Sequence, residues 1–354
     1  MKSSFRPLAT AATSPQLTLA WAARFLLAPF FIWACILHAR PVHAQPRPKD
    51  DFAVWRADFA REAANEGIPD SVIRIVTPYL EFDPRVVALD QKQPEKTLAY
   101  ADYLNQNVTP ERIQKARKEF SDNQELLNEI EDRYKVPGEV IVALWAMESD
   151  FGDHQGDFNT ITSLATLAYD GRRRDLFTAE LIDALRLIYG YGIQPAAMTG
   201  SWAGAMGQCQ FMPSSLIRYG VDADGDGKID IWHSLPDTFA SIANYLNQNG
   251  WDYEPGIAQP VTLPDDFDPA NIDQKIEHPI SEWRLVGLKR PSGADLYLSG
   301  AVTSVIQPDG PKTQAYLAYG NYHVLMKWNH SSYFALAVAA LANKINPQFK
   351  APRS

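Results

Sequence analysis

The sequence is short of cysteine, with only Cys35 and Cys209 among 354 residues. If the chain is cut after Ala44, one cysteine remains, which excludes an internal disulfide even in an oxidising compartment. Packing, with a bound metal ion as a second source, then has to supply the stability. The chain beyond Ala44 is still long enough to bury a sizeable core.

Acidic residues are absent from residues 1–44, which carry four Lys or Arg residues. The apolar run at residues 25–37 is shorter than the about 20 residues that a spanning helix needs. Small residues precede Gln45, so the segment is typical of a signal peptide cleaved after Ala44. We therefore predict a periplasmic protein. Two alternatives stay open, a lipid anchor at Cys35 and a signal anchor that is never cut.

Positive charge is scarce in the rest of the chain. Removing the four cations of residues 1–44 changes the formal net charge from −9 to −13. Such an acidic chain is unsuited to a phosphate backbone, so we expect no nucleic-acid partner. The one basic cluster, Arg172 to Arg174, is either a solvated face or a contact, centred on Arg173, for an anionic part of a substrate.

Helical periodicity dominates the chain. It predicts helices through residues 51–120 and a helical hairpin over residues 121–152, opened by a capping box at Ser121. Further helices are predicted at residues 160–169, 174–191 and 332–345. Apolar runs that alternate or are β-branched predict short antiparallel strands at residues 283–286, 296–298, 301–306 and 315–319.

These patterns predict an α+β, mainly α, fold with a small antiparallel β region inserted in a helical protein. The predicted segments are the signal peptide (1–44), a helical N-terminal region (45–120), a catalytic core with a calcium loop (121–254), a β subdomain (255–320) and a C-terminal segment whose helix returns to the core (321–354).

Residues 140–152 are the most informative stretch, because eight consecutive apolar residues precede Glu148. A helix with no polar face belongs in the interior of a large domain. Burial and the negative end of a helix dipole both disfavour a charged carboxylate. Glu148 is therefore a candidate proton donor near neutral pH. The alternative is an ordinary last-turn residue whose carboxyl group lies in water.

Three glycines interrupt residues 200–213, and they predict close approach of a ligand to the backbone. Ser201, Gln208 and Gln210 supply neutral hydrogen-bonding groups there, and a neighbouring Trp and Phe supply flat apolar faces. This mixture suits a sugar. The alternative is tight helix packing through glycine.

Residues 222–230 match the calcium loop of an EF-hand, with carboxylates at positions 1, 3, 5 and 9 and Gly at position 6. Position 12 is His233 instead of Glu, so a later acid has to complete the shell. The predicted ligands are Asp222, Asp224, Asp226, the carbonyl of Lys228, and Asp237. We predict a structural Ca²⁺, leave open whether Asp230 also ligates it, and keep a solvated acidic turn as the alternative.

These motifs occur in one order along the chain, ending with residues 243–246. Together they resemble the membrane-bound lytic murein transglycosylase B family over most of the chain after residue 44. The resemblance implies a lysozyme-like core with an EF-hand-like loop. It also implies cleavage of the bond between N-acetylmuramic acid and N-acetylglucosamine without water, leaving a 1,6-anhydromuramyl end on the peptidoglycan strand.

The resemblance further implies that Glu148 acts first as acid and then as base. The positions that it implies for holding the sugar are Ser201, Gln210, Tyr245 and Asn329. Trp328, also assigned to the substrate, stands where these relatives usually have Tyr, so a hydrogen bond from that hydroxyl cannot form. An acid beyond the twelfth loop position in the family supports Asp237 as a ligand.

Two other functions stay open. Asp150 or Asp153 as a second carboxylate would permit hydrolysis, as in a muramidase. A catalytically silent peptidoglycan-binding protein is the other alternative. The histidines His154, His233 and His323 have no paired ligand spacing and are interpreted as structural or surface residues. We expect a monomer that binds glycan strands.

Overall fold

Helices dominate the structure, a computed structural model that describes residues 49–92, 98–253 and 256–346. The predicted signal peptide and Cys35 lie outside these residues. None of the helices in the described ranges is long and apolar enough to cross a membrane. The mainly helical fold class predicted from periodicity is confirmed, and the β-structure is limited to short antiparallel strands.

Five helices form the N-terminal part of the described chain. They are α1 (Lys49–Asn65), α2 (Asp70–Val76), α3 (Pro84–Gln91), α4 (Tyr100–Asn107) and α5 (Pro110–Asp122). Prolines open α3 and α5, and the preceding Asp83 and Thr109 cap the free backbone N–H groups. The predicted helix start at Ser121 is wrong, because α5 continues through that residue.

Six helices follow, and one of them is central. They are α6 (Gln124–Tyr134), α7 (Gly138–Ser149), α8 (Thr160–Asp170), α9 (Arg174–Tyr191), α10 (Pro213–Tyr219) and α11 (Leu235–Gln248). Helix α7 packs against α5, α6 and α11. Every residue from 138 to 146 is buried, as expected for a helix with no polar face.

Two small sheets complete the β-structure of the described chain. Strands β1 (Phe158–Asn159) and β2 (Thr199–Gly200) pair with each other. The second sheet has the order β3-β6-β5-β4 and consists of β3 (Ala258–Val261), β4 (Glu277–Pro279), β5 (Val302–Ile306) and β6 (Ala315–Ala318). All of its strand pairs are antiparallel.

Two of the four predicted strands are confirmed as β5 and β6, and two are wrong. Residues 283–286 fall largely in helix α12 (Ile280–Leu285), where Ile280 and Trp283 are three positions apart and bury the same side against the sheet. Residues 296–298 form no strand, and Leu296 reaches the same small core from a loop.

The described residues end with two helices, α13 (Gly320–Trp328) and α14 (Ser332–Ile345). Helix α14 packs on α7 and also on α4 and α5. The N-terminal helices α4 and α5 therefore share the packing surface of α14 with α7. The segment boundaries at 120/121, 254/255 and 320/321 stay predictions.

The small sheet has its own hydrophobic core around Trp283, whose indole N–H donates to the Thr303 carbonyl at 3.1 Å. We expect Trp283→Ala to lower the free energy of unfolding by about 3–5 kcal/mol, because it leaves a cavity and an unpaired carbonyl. Urea unfolding followed by circular dichroism measures this. Leu285→Ala is the matched control, since Leu285 is 87% exposed and its loss should change the free energy by less than about 0.5 kcal/mol. Equal effects would contradict this core.

Candidate active site

Glu148 lies in the last turn of α7, directly after the fully buried part of the helix. The residue is partly exposed, so solvent or a ligand can reach it. Burial of the carboxyl group raises its pKa to about 7, and a hydrogen bond from Trp328 opposes the shift. Burial is the larger effect because a buried carboxylate loses the hydration that would stabilise its charge, and the single hydrogen bond from Trp328 does not replace that hydration. Glu148 can therefore hold a proton near neutral pH.

Trp328 is the direct partner of Glu148. Its indole Nε1–H donates to Glu148 Oε1 at 2.6 Å, across 180 residues of sequence. The sequence predicted that replacing Tyr with Trp at this position removes a hydroxyl hydrogen bond. The structure shows that the indole supplies a donor of its own. Because an indole N–H can only donate, this contact favours the carboxylate state and positions one oxygen of the acid.

Aromatic rings pack around Trp328 and hold its indole in place. The ring centroid of Tyr245 lies 4.7 Å from that of Trp328 in an edge-to-face arrangement, and the ring centroid of Phe211 lies 5.3 Å from that of Trp328. The Tyr245 hydroxyl donates to the Lys327 carbonyl at 2.8 Å, which anchors the backbone just before the tryptophan. Tyr245 was predicted to hold the sugar. In the structure it contacts Trp328, and its hydroxyl is already bonded within the protein.

The glycine-rich stretch after β1 and α9 forms β2 and a series of turns instead of a helix. A Cβ atom on Gly200 would lie 2.0 Å from the Ala205 carbonyl oxygen, and one on Gly156 would lie 2.0 Å from the Gly200 carbonyl oxygen. These distances are far below van der Waals contact. These two glycines are therefore required by close packing of the protein's own backbone, and the predicted approach of a ligand is not needed to explain them.

Ser201 and Gln210 lie on this stretch. Ser201 is 4% exposed, and its Oγ accepts from the Ala205 backbone N–H at 3.2 Å. Gln210 has a φ of 50°, and its Nε2 donates to the carbonyls of Gln155 and Gly207. The Oε1 atom of Gln210 is buried and has no hydrogen-bond partner among the described residues. That atom is an acceptor that a ligand could satisfy.

Gln208, predicted to face the sugar, is a correction. Its side chain is 6% exposed, and its Oε1 accepts from the Trp145 indole while its Nε2 donates to the Trp232 carbonyl. The Gln208 carbonyl also accepts from Ser149 Oγ at 2.7 Å. The residue is buried because it joins α7 to the segment before α11, so its amide is not available to a sugar.

The two acids considered as a second catalytic carboxylate both have cationic partners. Arg112 Nε lies 3.3 Å from Asp150 Oδ1, and Lys115 Nζ lies 2.5 Å from Asp153 Oδ2. Both cations come from α5. These contacts give both carboxylates a structural role within the protein, and Glu148 remains the candidate proton donor.

Sequence reasoning missed Tyr103, which lies on α4. Burial raises the pKa of its hydroxyl, and the nearby charge of Glu148 raises it further. The same charge contributes to the raised pKa of the buried Cys209 thiol. Both residues therefore lie near the acid. The only sequence signal for Tyr103 was its place on the buried face of an amphipathic helix, which indicates packing and not chemistry.

Of the two other predicted substrate residues, Arg173 is paired within the protein and Asn329 lies next to Trp328. Arg173 pairs with the buried Asp90 at 2.9 Å, and Arg172 bonds the same carboxylate. This ion pair accounts for the basic cluster without a substrate, and no contact joins Arg173 to Glu148, so the assignment of Arg173 is not supported. Asn329 ends α13 as its C-cap residue, directly after Trp328, and is partly exposed.

The acidic loop between α10 and α11 brings together three of its predicted ligands. Carboxylate oxygens of Asp222, Asp224 and Asp237 all lie within 4.8 Å of one another. Burial raises the pKa of Asp237, while backbone N–H groups that donate to it oppose the shift. Three converging carboxylates repel one another unless a cation is present, so this donor set fits a hard divalent ion.

The remaining loop residues take other contacts. Asp226 Oδ1 accepts from the Lys228 backbone N–H at 2.8 Å, and Asp226 is outside the group of three. Asp230 accepts from the backbone N–H groups of Trp232 and His233 and contacts the His233 ring. His233 is exposed and holds a loop acid, consistent with its interpretation as a surface residue.

The raised pKa of Glu148 predicts how stability depends on pH. The folded state binds the Glu148 proton more tightly than the unfolded chain does, because a glutamate in an unfolded chain has a pKa of about 4.3. This stabilisation is complete below about pH 4.3 and is lost as the pH rises to about 7. Glu148→Gln cannot lose a proton, so its melting temperature should rise relative to that of the wild type across this window. A difference that does not vary with pH would contradict the raised pKa.

Known proteins resemble this chain over most of the described residues. The Transglycosylase SLT domain model matches residues 51–343. The chain is 30% identical, over 78% of its length, to the membrane-bound lytic murein transglycosylase B of Escherichia coli (strain K12), of which 74% is covered.

Solved structures agree. SltB3 from Pseudomonas aeruginosa, in complex with NAG-anhNAM-pentapeptide, has a TM-score of 0.80 and 39% identity, with 83% of this chain and 79% of that chain covered. The Escherichia coli lytic transglycosylase Slt35 in complex with calcium has a TM-score of 0.71 and 28% identity, with 82% and 92% covered. The predicted lysozyme-like, mainly helical fold class is confirmed. The chain therefore belongs to the Transglycosylase SLT domain family of lytic murein transglycosylases.

Proposed function

We propose that this protein cleaves the β-1,4 bond between N-acetylmuramic acid and N-acetylglucosamine in peptidoglycan and leaves a 1,6-anhydromuropeptide. The observation that carries the proposal is a single, partly exposed carboxylic acid, Glu148, whose pKa is raised to about 7. The family supports the substrate, and one relative was crystallised with a NAG-anhNAM-pentapeptide, which contains such an anhydro sugar.

In the first step, protonated Glu148 donates its proton to the glycosidic oxygen. The bond from C1 of the muramyl sugar to that oxygen breaks, and positive charge develops at C1 and the ring oxygen. Since Trp328 occupies Oε1 of the acid, the proton is held on Oε2. The atom that faces the leaving oxygen is thereby defined. A pKa close to the working pH makes this proton transfer efficient.

In the second step, Glu148 is a carboxylate and accepts the proton of the muramyl C6 hydroxyl. The C6 oxygen attacks C1 of the same sugar, and the ring closure regenerates the acid. One carboxyl group serves both steps because the nucleophile belongs to the substrate. Its attack is intramolecular, so the reaction does not lose the translational and rotational entropy of a second molecule. A second carboxylate to activate water is therefore unnecessary, in contrast to ordinary glycosidases.

Gln210 and Asn329 are proposed to contact the sugar. Ser201 is as buried as Gln208, and its Oγ accepts from the Ala205 backbone N–H, so no direct sugar contact is proposed for it. The buried, unpartnered Oε1 of Gln210 is suited to accept from a hydroxyl or an acetamido N–H of the glycan. Tyr245 and Trp328 are proposed to act together, with Trp328 presenting a partly exposed ring and Tyr245 supporting it from behind. Apolar ring faces of this kind match the C–H faces of sugars.

A structural Ca²⁺ is proposed in the acidic loop, held by Asp222, Asp224 and Asp237, with the predicted ligands Asp226 and the Lys228 carbonyl completing an EF-hand-like set. The bound ion would neutralise the converging carboxylates and would take no part in bond cleavage. A calcium complex of a 28% identical relative supports this assignment.

Export to the periplasm is proposed from the predicted signal peptide, and the name of the membrane-bound relative agrees with a site of action at the cell wall. Acylation of Cys35 and retention of an uncut signal are the two alternatives for membrane attachment. Labelling with a radioactive fatty acid, compared with Cys35→Ser, separates them. We propose that the protein acts on glycan strands as a monomer.

The product identifies the reaction. Residues 45–354 should release anhydromuropeptides from purified sacculi, and Glu148→Gln should lower that rate by about 10²-fold or more because it cannot donate the proton. Mass spectrometry distinguishes the outcomes, since an anhydro product lacks one water relative to a hydrolysis product. Reducing ends would establish a muramidase, and binding without products from either protein would establish a silent binding module.

Calcium should raise the melting temperature. At a concentration about 100 times its dissociation constant, a ligand of the folded state adds about 2.7 kcal/mol of stability. We expect the shift to vanish with chelator and with Asp237→Asn, which removes one charge from the group of three. Asp265→Asn, an exposed acid of the β subdomain, is the matched control and should keep the full shift. A melting temperature unmoved by chelator would exclude a structural ion.

A further inference from the structure

Helix α5 binds the turn that follows Glu148 through two cations. Arg112 Nε lies 3.3 Å from Asp150 Oδ1, and Lys115 Nζ donates to the Asp150 carbonyl at 3.1 Å. Asp150 is the C-cap residue of α7, two positions after the acid. The side chain and the backbone of the same turn residue are thus both bonded to a helix distant in sequence.

The turn needs such restraint because its backbone is strained. Asp150 and Phe151 have φ values of 51° and 65°, followed by Gly152 at 84°. The left-handed region disfavours residues with a Cβ atom, and such conformations persist only where surrounding contacts enforce them. The Phe151 ring is enclosed by the edge-to-face Trp145 ring at 5.3 Å and by Lys115 Nζ at 4.7 Å.

Arg112 also bonds a second element beside the acid. Its Nη1 donates at 2.8 Å to the carbonyl of Asn107, the last residue of α4. That helix carries Tyr103, which lies within electrostatic reach of both Glu148 and Arg112. One guanidinium group therefore joins the end of α7 to the end of α4. Lysine cannot reproduce this arrangement, because its single nitrogen cannot reach both acceptors in a fixed fork.

We propose that Arg112 is a positioning residue for the cleavage reaction, because it fixes the turn after Glu148 against the end of α4. Without this contact the turn relaxes, and the carboxyl group loses its alignment with the glycosidic oxygen and the C6 hydroxyl. The inference rests on the proposed function. It predicts a loss in the chemical step and not in glycan binding, since the guanidinium of Arg112 is bonded to Asp150 and Asn107.

The first test is Arg112→Gln, measured on soluble glycan strands of defined length. We expect kcat to fall by about 10- to 100-fold, the range expected when a reacting group is misplaced by a fraction of an ångström to 1 Å. The value of KM should change by less than about twofold, as for an interaction that matters only in the transition state. Arg112→Lys should fail to restore kcat.

Asp150→Asn removes the same ion pair from the other side and keeps the left-handed turn accessible, since Asn tolerates this conformation. It should lower kcat similarly, and the losses should be less than additive in the double variant, because both changes remove the contact between Arg112 and Asp150. Asp150→Asn also serves if Arg112→Gln folds poorly. Arg117→Gln is the matched control on the same helix, as Arg117 Nε donates to the Lys344 carbonyl, and its kcat should be unchanged.

Three results would overturn the proposal. These are an unchanged kcat in Asp150→Asn, a kcat loss in Arg117→Gln equal to that in Arg112→Gln, and additive losses in the double variant. The proposed function is tested separately by the wild-type product. Wild-type protein that forms no anhydro ends contradicts the function and this inference together, whereas anhydro ends with unaffected variants contradict the inference alone.

Discussion

The carboxyl group of Glu148 lies in a poorly solvated position in the last turn of a buried helix. Burial raises its pKa to about 7, and the indole N–H of Trp328 opposes this shift without reversing it. The balance matters because the proposed reaction uses both protonation states. A fully apolar surrounding would raise the pKa so far that the carboxylate would not form. More hydrogen-bond donors would lower the pKa so far that the group would have no proton to give at neutral pH.

Hydrogen bonds and an ion pair within the protein limit the movement of the backbone that carries this acid. Gln208 joins α7 to the segment that precedes α11, through Trp145, Ser149 and Trp232. On the opposite side, α5 binds the turn after the acid. Rigid surroundings of this kind are what an acid needs if one carboxyl group is to meet successive positions on one sugar.

Trp328 gives Glu148 a hydrogen-bond donor at the position where the resemblance implied a tyrosine hydroxyl. A tyrosine hydroxyl and an indole N–H are different groups, yet both can donate to a carboxylate oxygen. The indole cannot accept in return, so Trp328 defines which oxygen of the acid carries the proton. Its ring is held by Tyr245, whose own hydroxyl is used to anchor the backbone at Lys327.

The sequence alone determined the features that are encoded locally. Eight apolar residues before Glu148 predicted a buried helix with an acid at its end, and the spacing of acids from Asp222 predicted a loop whose carboxylates converge. Ordered motifs also identified the family. Both structural predictions follow from periodicity or spacing within about a dozen residues, where chain geometry leaves few alternatives.

Only the tertiary structure decided which distant groups meet. The partner of Glu148 is 180 residues away, and the partner of Arg172, Asp90, is 82 residues away. Gln208 looked like a sugar ligand by its chemistry and is buried between protein groups instead. Arg112 and Tyr103 carried no sequence signal of function. The local sequence pattern predicts whether a side chain is buried. The partner of that side chain depends on how separate helices pack, and the residue spacing within one segment does not determine that packing.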